Sequence, residues 1–191
     1  MALTPSRMLP LGTVAPDFEL LDTVSGKRLA LKNLRSPIAT VIMFICNHCP
    51  YVKHVQQELV RLARDYQPKG IAFIAISSND AQHYPEDAPN KMAEVAQRGG
   101  YPFPYLYDES QAMAKAYQAA CTPDFYIFDA VLRCVYRGQL DDVRPGHAIE
   151  PNGQDIRAAL DDLLQGKPIN PIQKPSIGCN IKWKAPTDSA E

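Results

Sequence analysis

Two thiols, Cys46 and Cys49, stand three positions apart in "ICNHCPYV", with His48 between them. A pair at this spacing can exchange with disulfides, hold part of a metal site, or sit inert in a core. The redox chemistry needs a thiolate to attack and a neighbouring thiol to resolve the mixed disulfide. A structural zinc site takes four ligands. Cys46, Cys49 and His48 supply three, and Cys121 is the further one available, because no second C-x-x-C or paired histidine follows. Inert packing is the third reading, since free cysteine is commonly buried.

The position of the pair bears on this choice. "IATVIMFI" precedes it, an uncharged run that suits a central strand covered on both faces. From residue 52 the period changes. Val52, Val55, Leu59, Leu62, Ala63 and Tyr66 recur at three and four, which is one helical stripe. The pair therefore lies between a strand's carboxyl end and a helix N-terminus, where free N–H groups and a partial positive charge favour an anion. A thiol with a pKa near 8.5 is only about 3% ionised at pH 7, whereas at about 6.5 it is roughly 75% ionised. His48 is a candidate cation that tunes the sulfur. Within a strand–helix–strand pattern, C-x-x-C reads first as a redox motif.

The remaining elements must build the frame. "DFELLDTVSGKRLAL" reads as a hairpin around Ser25-Gly26. "IAFIAIS" is a second buried strand. A helix is expected in "PEDAPNKMAEVAQRGG" after a polar loop, a weak strand in "FPYLYD", and a helix across "ESQAMAKAYQAA". "DFYIFD" and "RCVYRGQL" read as paired strands, and "GQDIRAALDDLLQGK" as the last helix. The expected fold class is α/β, a three-layer α/β/α domain with a mostly parallel sheet and an antiparallel late edge. Residues 1–166 form that domain. Residues 167–191, rich in proline, form an extended tail packed on it.

Composition narrows the function classes. The chain has 191 residues and a net charge of −1, so no general attraction to nucleic acid or anionic lipid is expected. No apolar run of membrane-spanning length occurs. An odd count of five cysteines is not a secreted disulfide framework. With no basic start followed by an apolar stretch, the expected compartment is the cytoplasm.

A second clue lies in "AACTPDFYIFD". Thr122-Pro123 stands directly before a strand, where proline is confined to the first residue or an edge. A cis bond there would leave the Thr122 backbone free to pair with an incoming peptide. A trans proline that merely ends the preceding helix is the alternative.

Taken together, these segments resemble the thioredoxin-like superfamily. The nearest branch is that of the alkyl hydroperoxide reductase and thiol-specific antioxidant proteins, together with the cytochrome-maturation disulfide reductases. "GTVAPDFEL", "SGKRLALKNLRSPIATVIMFICNHCP" and "CTPDFYIFD" carry the resemblance, over roughly residues 11 to 165. It implies a thioredoxin fold with an N-terminal hairpin extension. It implies Cys46 as the attacking cysteine, Cys49 as the resolving one, Pro123 as a cis-proline and Thr122 as a substrate-backbone contact. Implied partners are protein or small-molecule disulfides, or peroxides, and a reductase or thiol that donates electrons. No cofactor or metal is expected. Asn47-His48 departs from the thioredoxin Gly-Pro.

Pro50 complicates the order of the two sulfurs. Proline fits the first helical position, which would make Cys49 the N-cap with the better electrostatic seat. Peroxiredoxins likewise carry proline directly after their peroxide-attacking cysteine, but a threonine where this chain has Cys46. Cys121 and Cys179 are candidate third redox thiols, with packing as the alternative. Arg137 and Arg144 are expected in a polar turn with Asp141 and Asp142; an arginine beside the reactive sulfur, favouring its thiolate, is the alternative.

Overall fold

A computed structural model describes residues 3–185. The domain and tail boundaries at residues 1–2 and 186–191 lie outside the described residues. Strands β1 (Leu3–Pro5), β2 (Glu19–Asp22) and β3 (Arg28–Ala30) open the chain, followed by helix α1 (Leu31–Leu34). Then come β4 (Ala39–Phe44), α2 (Pro50–Tyr66), β5 (Ile71–Ser77), α3 (Pro89–Gly99), β6 (Tyr105–Tyr107) and α4 (Ala112–Ala116). The last elements are β7 (Cys121–Thr122), β8 (Asp124–Asp129), β9 (Cys134–Gly138), α5 (Gln154–Leu164) and β10 (Ile177–Asn180).

The main sheet runs β3-β2-β6-β5-β4-β8-β9. Every residue of β4 is buried, because its alternate side chains enter two separate cores. Val41 and Met43 join α2, α3 and α5 on one face. Ile42 and Phe44 join Leu31 of α1 and Ala114 of α4 on the other. Each such side chain contributes about 1.5–3 kcal/mol of burial, so the uncharged run is explained by two apolar layers. The α2 stripe from Val52 to Tyr66 is the buried face of that helix. The result is a thioredoxin fold with the β2–β3 hairpin as its extension.

Two expectations need correction. The sheet is mixed, not mostly parallel: only β4–β5 and β5–β6 are parallel, while β4–β8, β8–β9, β2–β6 and β2–β3 are antiparallel. The reason lies in α4, which spans five residues, or ~7.5 Å of rise. The six-residue β8 is ~20 Å long. So short a helix cannot carry the chain back along a strand, and β8 returns antiparallel. Secondly, α4 is shorter than its helix propensity implies. It is bounded by Gln111 at φ 63° and Gln118 at φ 55°, both left-handed. The tail is extended and carries a strand. Its β10 pairs with β1 on one side and β7 on the other, forming a second sheet of order β1-β10-β7.

Candidate active site

The strand–helix junction sets the two sulfurs. β4 ends at Phe44, and Ile45 still donates its N–H to Ile76 at 3.0 Å. The chain then turns through Cys46, Asn47 and His48. Pro50 is the first residue of α2, where its missing N–H is no loss. Cys49 is the N-cap, with extended dihedrals of φ −68° and ψ 123° that a residue before proline favours. Both cysteines are buried, with Cys46 2% and Cys49 0% exposed.

The Thr122-Pro123 bond is cis and faces the pair. Thr122 Oγ1 lies 3.3 Å from Cys46 Sγ, and its carbonyl oxygen lies 3.2 Å from Cys49 Sγ. The Thr122 backbone is not free, contrary to the sequence-based expectation. It pairs with Cys179 of β10. The approach is close: a Cβ added at Gly178 would meet the Thr122 carbonyl oxygen at 2.0 Å and Pro123 Cδ at 3.2 Å. Only glycine lets the strand lie there.

The two neighbouring thiols are shifted in opposite directions. The Cys46 S–H is the first cause that pulls the Cys49 thiol down, to about 4. Burial opposes it, and the Cys179 S–H, the Val52 N–H of the helix's first turn and the Cys179 N–H assist. Cys46 is driven up by its neighbour Cys49, then by burial and by the Asp87 carboxylate. One contact pulls the other way. The Thr122 carbonyl accepts from a protonated Cys49 and would repel its thiolate. Three donors besides Cys46 against this one acceptor place the charge on Cys49.

Asp87 organises the turn, and sequence reading missed it. It lies in a short 3-10 helix, Pro85–Asp87, ahead of α3 and within the segment expected to be one helix. It is fully buried. Its oxygens accept from the Asn47 N–H at 2.7 Å, the His48 N–H at 3.3 Å, His48 Nδ1 at 2.5 Å and Asn79 Nδ2 at 2.8 Å. Burial pushes its carboxyl up, yet the His48, Asn79 and Asn47 hydrogen bonds outweigh it, so Asp87 stays below the usual carboxylate value. The His48 ring stacks on Tyr84 at 5.4 Å. Its Nε2 has no hydrogen-bond partner among the described residues.

The donor atoms of Cys46, His48 and Asp87 lie within 4.8 Å of one another, close enough for a metal ion. A carboxylate offers about four lone pairs, and the four donors above use them. Asp87 is thus a positioning group, and three side chains fall short of a closed zinc site.

Cys121 precedes Thr122 on β7, so its side chain points to the opposite face. Its thiol contacts the Pro123 carbonyl at 3.7 Å, and burial drives its pKa up. Cys179 sits directly across from Thr122 and shares the face that meets the pair. Arg137 and Arg144 are committed elsewhere. Arg137 bonds the Leu9 carbonyl and Gln173, and Arg144 bonds the Asp141 carbonyl and Gln139. An open groove of about 610 Å³ borders the turn at Asn47 and is lined by Lys53, Arg61, Arg64 and Arg98.

Asp124, just after the cis-proline, is fully buried and raised to about 7 by burial, against hydrogen bonds from Ser6 and Tyr126. The native chain therefore holds a proton that the unfolded chain releases near pH 4, so stability falls as pH rises through that window. At about 1.4 kcal/mol per unit, the loss between pH 5 and 8 is about 3 kcal/mol. Urea midpoints should show this fall in the wild type and a flattened profile in Asp124→Asn. Parallel profiles would remove Asp124 as the source.

Comparison with known proteins places this geometry. No curated protein matches the chain. An uncharacterised conserved protein from Geobacillus kaustophilus is 63% identical, with 98% of each chain covered and a TM-score of 0.95. A hypothetical protein from Sinorhizobium meliloti 1021 is 47% identical over 95% of this chain and 99% of that one, with a TM-score of 0.92. The thioredoxin domain of a thiol-disulfide oxidoreductase from Bacteroides vulgatus shares the fold, at 13% identity, 78% and 96% coverage and a TM-score of 0.59. No helix among the described residues is long and apolar enough to cross a membrane. The AhpC/TSA family model matches residues 11–136, and the chain, with its cysteine turn and cis-proline strand inside that span, belongs to the AhpC/TSA family.

Proposed function

We propose that the protein is a thiol–disulfide oxidoreductase in which Cys46 and Cys49 alternate between a dithiol and a disulfide. The observation that carries this reading is the placement of two sulfurs at the head of α2, both against the cis Thr122-Pro123 bond. Cys49 is the attacking sulfur and Cys46 the resolving one, the reverse of the order that the thioredoxin resemblance implies. Pro50 supports the reversal, because it makes Cys49 the N-cap. The Cys49 thiolate attacks a substrate disulfide and releases one thiolate. Cys46 then attacks the Cys49 sulfur and releases the second. A thiol donor in the cell resets the pair. His48, held by Asp87 beside the turn, tunes the sulfurs.

A thiol peroxidase is the second reading, favoured by the Cys49-Pro50 order at the helix start. Turnover with a dithiol reductant separates the two. The expected result is faster reduction of insulin or a small disulfide than of hydrogen peroxide. Rapid peroxide consumption without disulfide reduction would replace the first reading by the second.

A further inference from the structure

We propose that Cys179 is a third redox thiol, delivered to Cys49 by a tail strand that occupies the β7 edge where an incoming disulfide peptide would pair. This rests on the oxidoreductase reading above. Three geometric observations carry it.

First, β10 lies antiparallel on β7 with Cys179 opposite Thr122. Directly opposed residues share one face of a sheet. The Thr122 hydroxyl on that face touches Cys46, so Cys179 is aimed at the cysteine pair. Its side chain belongs to the same buried cluster as Cys46 and Cys49. Secondly, β10 is held in this place on both sides. β1 pairs along its outer edge. The Ser6 N–H donates to the Ser176 carbonyl at 2.8 Å, and Ser176 Oγ donates to the Pro123 carbonyl at 2.6 Å. Thirdly, Gly178 removes the side chain that would strike the Thr122 carbonyl. The strand is seated as a peptide added to a sheet edge is seated, through backbone pairing with one side chain reaching the reactive centre.

Cys179 thus shares one buried cluster and the Thr122 face with the cysteine pair. Once the substrate disulfide has oxidised the pair, Cys179 can attack Cys49 Sγ. The Cys49–Cys179 bond forms and the Cys46–Cys49 bond breaks. Cys46 leaves as a thiolate and takes up the proton that Cys179 releases. No net electrons move in this step, and a dithiol donor later returns both thiols. The oxidised state then ties the tail to α2, while Cys46 is freed.

The test uses the full chain as wild type, Cys46→Ser and Cys179→Ser. Each is oxidised with oxidised glutathione, quenched in acid and mapped by mass spectrometry of unreduced peptides. The expected result is a Cys49–Cys179 link in the wild type and in Cys46→Ser, and a Cys46–Cys49 link alone in Cys179→Ser. A wild type holding only Cys46–Cys49, or a Cys46→Ser protein whose Cys179 stays free, overturns the proposal and leaves the oxidoreductase reading intact. Absence of any intramolecular disulfide in all three proteins overturns both. Circular dichroism of each variant shows whether a missing link reflects a missing fold, and Cys179→Ala then replaces Cys179→Ser.

Discussion

Cys49→Ser is expected to lower disulfide turnover by about a thousandfold or more, the scale seen when a nucleophile is removed outright. The sulfur at the N-cap is the anion that attacks, and a serine hydroxyl is not ionised at neutral pH and does not exchange with disulfides. The three donors that lower Cys49 would remain in the variant, but they would surround an oxygen. Cys46 would lose its neighbouring thiol and keep burial and the Asp87 carboxylate against it. It would therefore stay a thiol and could not replace Cys49. Steady-state reduction of a small disulfide with a dithiol donor measures this directly. Turnover within tenfold of wild type would show that Cys46 is the attacking sulfur.

Asp87→Ala is expected to be the most damaging substitution away from the sulfurs. It would strip acceptors from two backbone N–H groups and two side-chain nitrogens in a buried place. Each orphaned buried donor costs about 1–3 kcal/mol. Relaxation and water recover part of the sum, leaving a loss of about 3–5 kcal/mol, the range for breaking a buried charged network. Since Asn47 and His48 lie between the two cysteines, the turn would lose its geometry as well. Turnover should fall at least tenfold. Asp87→Asn keeps the shape and one acceptor for the Asn47 N–H, and should retain the larger part of the stability. Urea denaturation of the three proteins tests this order. A cost under about 1 kcal/mol for Asp87→Ala, within the range of ordinary surface substitutions, would show that Asp87 does not hold the turn.

Much of this arrangement was legible in the sequence, for reasons of pattern. The uncharged run before Cys46 announced a strand buried on two faces, and the stripe from Val52 to Tyr66 announced its helix. Pro50 announced the helix start and so the N-cap. Strand direction was not legible, because alternating strand and helix segments carry no sign of how far a connection travels. Five residues of α4 decided it. Asp87 was hidden, since "PED" looks like the acidic first turn of the helix that follows, until folding places it under the cysteine turn. The role of β10 was hidden for a similar reason. Its four residues, "IGCN", are short and interrupted by glycine, and their meaning comes from the two strands beside them. The glycine that weakens the pattern is the residue that permits the contact.

The central claim is that the cysteine pair holds one thiolate in the reduced protein at neutral pH. Ultraviolet thiolate absorbance of the fully reduced chain, followed from pH 3 to pH 9, tests it without requiring access to a buried sulfur. The expected result is one thiolate already formed at pH 6, disappearing with a midpoint near 4 and absent in Cys49→Ser. Absorbance that rises only above about pH 8, as for an ordinary thiol, would contradict it.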